Sequence, residues 1–197
     1  MNVAGLIQLR ISLLDIKPEI WRRVIVPNTL SLVELHAVLQ GAMGWQDSHL
    51  HAFEIGGKRF EIPEDGSCDS NEDYFDERNF SLRDVLIDLQ SFTYIYDFGD
   101  DWEHLVEIEE PNTILPRRMH WPICTEGANS CPPEDSGGSY KYPGFLMALE
   151  NKNHPDHERL IEWCGRFDKK EFSVNQSTLL IHATCALYRD RGLGFLD

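Results

Sequence analysis

The chain has 197 residues, of which 18 are basic and 33 acidic, so its formal charge is −15 with histidines neutral. Apolar residues at 42% and aromatics at 11% can fill a substantial core, which excludes a globally disordered chain. The carboxylate excess repels phosphate backbones, and the basic residues occur as isolated pairs such as Arg22-Arg23 and Lys169-Lys170, so nucleic acid is a poor default partner.

No apolar run reaches membrane-spanning length, and the opening residues lack the pattern of a cleaved leader; no membrane association is expected, and the expected compartment is the cytoplasm. Five cysteines, at 68, 124, 131, 164 and 185, show no repeated spacing and read as reduced thiols.

Residues 6–14 and 20–26 are branched and apolar around a Pro18-containing turn, which predicts an opening hairpin. Ser31 and Glu34 have capping-box spacing ahead of Leu32, Leu35, Leu39 and Met43, which predicts a helix stopped at Gly44. His49 to Ile55 alternates and closes on Gly56-Gly57, predicting a third strand that turns back through Lys58 to Phe60. From Glu61 to Glu77 there are eight carboxylates and no basic residue, which reads as a solvated loop. Ser81 to Asp84 caps a short helix. Ser91 to Tyr96, the turn Asp97 to Asp101, and Trp102 to Ile108 give the strongest hairpin signal in the chain. Residues 111–144 carry six prolines, which makes continuous helix or strand improbable there and predicts a long Pro/Gly loop. Helical patterning then resumes in 143–190, ending in a helix from Val174 to Arg189 with Ser173 and Gln176 at capping spacing. The expected fold is one α+β domain over residues 1–197: a mixed or antiparallel sheet with a β-β-α-β opening, β-grasp-like by analogy, followed by C-terminal helices.

Three constellations carry chemistry. In His49-Leu50-His51, strand geometry directs both imidazoles to one face, as two ligands of one metal require, although packing beside Trp45 would also account for one of them. Asp97-Phe98-Gly99-Asp100-Asp101-Trp102-Glu103-His104 crowds carboxylates around a tight turn. Asx turns explain part of this cluster, and the rest calls for a cation, a hydrogen-bond donor or open water. His104 shares strand parity with Trp102 and Val106, so it is either a core histidine or a general base. Pro132-Pro133-Glu134-Asp135-Ser136-Gly137-Gly138 places two carboxylates between stiff prolines and permissive glycines. Cys124 and Cys131 lack zinc-finger spacing, and neither a phosphate-cradling nor a dinucleotide glycine motif occurs.

Taken together, Ile20-Trp21-Arg22-Arg23-Val24, Met43-Gly44-Trp45, His49-Leu50-His51-Ala52-Phe53, Tyr96 to His104 and Pro132 to Gly138 resemble, in order, the plasmid open-reading-frame-three-like family first named from a hairy-root-inducing plasmid. The resemblance spans roughly residues 5–185. It implies a known domain class without an established activity, some of whose members are labelled recombinase-related. Ser136 stands where a cysteine often follows Pro-Pro-Glu-Asp, so a shared thiolate site is not implied. The acidic clusters also disfavour a recombinase, which needs cationic groups around the scissile phosphate.

Two functional readings follow. In the first, Trp45, Trp102, Trp121 and Tyr140 form an exposed aromatic groove rimmed by carboxylates, suited to a basic peptide or protein. In the alternative, His49, His51, Asp97, Asp100 and Asp135 hold a divalent metal such as Zn²⁺ or Mn²⁺, while His104, Asp101 and Glu134 serve a hydrolytic reaction. A third reading, a stable fold whose polar motifs are turns and caps, requires no ligand.

Overall fold

In a computed structural model of the chain, which describes residues 5–63, 73–110 and 122–193, strands β1 (Leu6–Leu13) and β2 (Ile20–Pro27) form the expected opening hairpin. The register pairs Leu9 with Val24 and Ile11 with Arg22. Alternation sends Leu9, Ile11 and Leu13 into the core, while Arg10 on the other face reaches Glu19 at 2.9 Å and Glu107 at 3.2 Å. Arg22 and Arg23 part in the same way. Arg23 pairs with Glu109 and Glu126 on the outer face, whereas Arg22 is buried, donating to the Ala42 carbonyl and stacking 4.4 Å from the Phe172 ring centroid.

Helix α1 (Leu32–Met43) starts at the anticipated capping box, with Ser31 and Glu34 bonding reciprocally, and ends at Gly44 in the left-handed region. Strands β3 (His51–Ile55), β4 (Lys58–Glu61), β5 (Tyr74–Asp76), β6 (Ser91–Tyr96), β7 (Trp102–Glu109) and β8 (Ile123–Ala128) complete an eight-stranded sheet in the order β5-β4-β3-β6-β7-β1-β2-β8. All pairings are antiparallel except β4 with β5. The β-β-α-β order is present along the chain, but β6 and β7 intervene between β3 and β1, and the sheet is open instead of closing as a β-grasp barrel.

The helices α2 (Leu82–Val85), α3 (Gly138–Glu150), α4 (His157–Cys164) and α5 (Val174–Asp190) follow, the last three forming the C-terminal helical part. Helix α5 crosses α1 at Gly41, where an added Cβ would lie 2.5 Å from the Ile181 backbone. Any side chain there would force the two helices apart, so this contact depends on glycine.

Two expectations change. The Pro-rich stretch contains β8 and the start of α3, because Pro122 and Pro132 flank the strand instead of interrupting it; residues 111–121 lie outside the described ones. The acidic stretch ends in β5 and a 3-10 turn, Glu77–Asn79, where Glu77 is fully buried; residues 64–72 lie outside the described ones. Cys124, Cys131, Cys164 and Cys185 are free thiols, and no helix among the described residues is long and apolar enough to cross a membrane.

Candidate metal centre

Three chain segments meet at one end of the β6–β7 hairpin. The turn between those strands places Asp97 in the left-handed region, a conformation Asp tolerates because its carboxylate can bond locally. Its Oδ1 accepts from the amides of Gly99 at 2.9 Å and Asp100 at 3.3 Å, which leaves Oδ2 free to face outward from the turn. Asp100 then reaches across to the loop before α3, accepting from the Gly137 amide at 2.7 Å. At Gly138 (φ +76°) an added Cβ would stand 2.2 Å from the Asp100 carbonyl oxygen, so the loop packs backbone to backbone on the turn.

The segment between α1 and β3 is fastened to the same two pieces. The Asp97 amide donates to the Leu50 carbonyl at 2.9 Å, and the Gln46 amide donates to Glu134 Oε1 at 2.6 Å. Tyr96 bridges them, its hydroxyl accepting from the Ser48 amide at 3.0 Å and donating to Glu134 Oε1 at 3.0 Å. Burial, reinforced by the Glu134 charge, holds the Tyr96 phenol well above its usual pKa, so it remains a donor throughout the physiological range.

This assembly surrounds His49. Its Nε2 lies 3.2 Å from Asp135 Oδ1, 3.6 Å from Asp97 Oδ2 and 3.8 Å from Glu134 Oε2. The same nitrogen is shielded from solvent and forms no hydrogen bond. One ligand atom from each of His49, Asp97 and Asp135 falls within 4.8 Å of the others, a grouping that could hold a divalent metal. Asp97 is buried, Asp135 is 70% exposed, and the site therefore opens on the Asp135 side.

Of the other residues singled out from the sequence, few join this group. Strand β3 begins only at His51, so the His-Leu-His pair does not share a strand face. The His51 ring stacks on His36 with centroids 3.4 Å apart, and its Nε2 meets both Glu77 oxygens at 3.0 Å. His51 is thus not a ligand alongside His49. Asp100 serves the Gly137 clamp, and Asp101 is exposed, acting on the turn through its amide. His104 is fully buried. Trp45 Nε1 donates to its Nε2 at 3.3 Å, its Nδ1 faces the Tyr94 carbonyl at 3.2 Å, and burial lowers its pKa to about 4. It is a neutral core histidine, beyond reach of an external base role.

Trp45 and Trp102 do not line an exposed groove. Trp45 and Trp102 are buried and pack on each other with ring centroids 5.7 Å apart, because both lie on the apolar face that fills the core. Tyr140 is 93% exposed on α3, and Trp121 lies outside the described residues.

Comparison with known families matches residues 5–176 to the plasmid pRiA4b ORF-3-like proteins, a span containing all three segments of the site. The chain belongs to this family. The pRiA4b ORF-3-like chain is also 39% identical over 179 residues to the uncharacterized protein y4hQ of Sinorhizobium fredii, covering 90% of each. Its fold is shared with a protein of unknown function, MM3350, from Methanosarcina mazei Go1. That crystal structure matches with a TM-score of 0.74 and 33% identity over 87% of this chain and 96% of the other.

Sequence reading missed several residues that build the pRiA4b ORF-3-like site. Tyr96 and Gln46 anchor Glu134, and Asp47, directly before the Ser48-His49 pair, is held by four groups. Gln40 Oε1 accepts from its amide at 2.8 Å, His36 Nε2 and the Tyr188 hydroxyl meet its carboxylate at 2.9 and 2.8 Å, and Arg191 approaches at 3.6 Å. A usable signal existed: His36 and Gln40 are spaced i, i+4 on the apolar face of α1, where polar side chains demand partners.

Proposed function

We propose that the protein is a metal-dependent hydrolase, with His49, Asp97 and Asp135 as metal ligands and Glu134 as the base. The observation that carries this reading is the His49 Nε2: a shielded ring nitrogen without a hydrogen bond, facing three carboxylates from two other segments. Native proteins rarely leave such an atom unsatisfied, and a bound cation would use its lone pair while offsetting the mutual repulsion of Asp97, Glu134 and Asp135.

The roles divide by anchoring. Asp97 and Asp135 each have an oxygen near His49 Nε2, and one imidazole with two carboxylates suits a cation of the Zn²⁺ or Mn²⁺ class with positions left over for water and substrate. Glu134 Oε1 is occupied by the Gln46 amide and the Tyr96 hydroxyl, which fixes the carboxylate while Oε2 stays directed at the site. A metal held by His49, Asp97 and Asp135 would supply a Lewis acid that acidifies a bound water, and Glu134 would be the group placed to take the proton of that water and return it to the leaving group.

Isothermal titration of the metal-stripped chain with Mn²⁺ and with Zn²⁺ tests this reading. One site per chain is expected, lost in His49→Ala and Asp97→Asn while the circular dichroism spectrum is unchanged. Metal uptake that is absent, or indifferent to both substitutions, overturns it.

A further inference from the structure

We infer that the cleft between α3 and α4, which abuts the metal centre, is its substrate pocket and accepts a small monoanion carrying a flat apolar body. This rests on the metal-dependent reading above, since Asp135 forms part of the wall of both. The cleft has a volume of about 620 Å³, within the range of sites for small organic ligands.

Its apolar wall is made by Phe145 from α3 with Leu160 and Trp163 from α4. Phe145 and Trp163 meet edge to face with centroids 6.0 Å apart, and Trp163 remains 47% exposed, so an indole surface is available to a planar guest.

The polar residues of the cleft set the sign of the guest. Lys141 forms no salt bridge among the described residues. Its stem lies against Gly137, where an added Cβ would stand 2.6 Å from Lys141 Cδ, so the ammonium stem is anchored beside the loop that carries Asp135. Among the described residues Arg159 is paired only with Asp156, three residues earlier, at 3.0 Å and with 71% of its side chain exposed. Pairs of that kind contribute little and exchange readily. With Asp135 committed to the metal, the two cations Lys141 and Arg159 face one carboxylate, Asp156, which leaves one of the two positive charges in excess. A single carboxylate, sulfonate or phosphodiester group matches that excess, and the aromatic wall receives the remainder of the molecule.

The test uses 2-naphthoate and its uncharged counterpart 2-naphthylmethanol, titrated calorimetrically into the full chain with and without Mn²⁺. Naphthoate is expected to bind at least about tenfold more tightly than the alcohol. Lys141→Ala should abolish that preference without weakening the alcohol, and Trp163→Ala should weaken both several-fold. Equal affinity for the two probes, or a preference that survives Lys141→Ala, overturns the assignment. Parallel Mn²⁺ titrations separate the two ideas. His49-dependent metal uptake without a naphthoate preference removes the pocket alone. Naphthoate binding without metal uptake removes the hydrolase reading, and with it the cleft's role as a substrate pocket.

Discussion

His49 and His51 are two residues apart, yet they sit in opposite electrostatic situations. His51 is in the core, sandwiched on His36 and held by a fully buried Glu77, with Asp47, Tyr94, Gln40 and Tyr188 completing a network around the pair. His49 is at the rim, half-buried, with carboxylates close by and its Nε2 without a hydrogen bond. The His36–His51 pair is satisfied within the fold, whereas His49 Nε2 finds no hydrogen-bond partner among the described residues. Hydrogen-bond satisfaction separates the two situations, with His51 bonded on the Glu77 carboxylate and His49 Nε2 unbonded.

The contrast can be broken most forcefully at Glu77. Glu77→Ala leaves the His51 imidazole facing an empty buried site and should cost about 3 kcal/mol or more in urea unfolding, while Mn²⁺ affinity measured at a stabilising temperature changes little. A loss below about 1 kcal/mol would show that the core network is not the structural element it resembles.

Gly138→Ala acts on the join between the regions. A methyl group against the Asp100 carbonyl, at a positive φ, should cost about 1–3 kcal/mol and loosen the loop bearing Glu134 and Asp135. Metal affinity should fall at least tenfold even where the protein is folded. Retained affinity would mean that the loop is held by contacts other than the Asp100 clamp.

Acid sharpens the comparison further. Burial, aided by the neighbouring His51, lowers the His36 pKa to about 3, and burial lowers that of His104 to about 4. Both are neutral in the fold but protonate at about 6.5 when unfolded, so the unfolded chain binds more protons below that pH. Stability should therefore be complete above about pH 6.5 and decline as pH falls towards 4, with a slope approaching about 1.4 kcal/mol per pH unit for each histidine. Unfolding midpoints that are flat across this window would contradict the buried neutral assignment.

The smallest effect on stability is expected at His49. His49→Ala removes no hydrogen bond from Nε2, so the metal-free protein should shift by less than about 1 kcal/mol in the same unfolding assay. A large loss would place His49 with His51, among the residues that hold the fold together.

Much of this architecture was legible in the sequence where local signals suffice. The capping box at Ser31 and Glu34, the hairpin around Asp97 to Asp101 and the apolar spacing of the last helix each describe a unit that its own residues specify. His49, Asp97, Glu134 and Asp135 were also recognisable as unusual. What could not be read was which histidine would join them. That depends on β3 starting at His51 and not earlier, and on Glu77, an apparently ordinary member of an acidic run, being drawn into the core to meet it. Trp45 and Trp102 show the converse: large aromatics beside polar motifs suggest a recognition surface, but the sheet needs them as filling.

The attachment of Tyr188 and Arg191 to Asp47 gives the end of the last helix an influence far from its own position. Through it the final helical turn acts as a remote latch on the backbone that presents His49, although neither residue comes from the three segments that form the centre. A chain trimmed by a peptidase ahead of Tyr188 would keep its strand pairings and lose the latch, so deuterium uptake should rise first in residues 46–49.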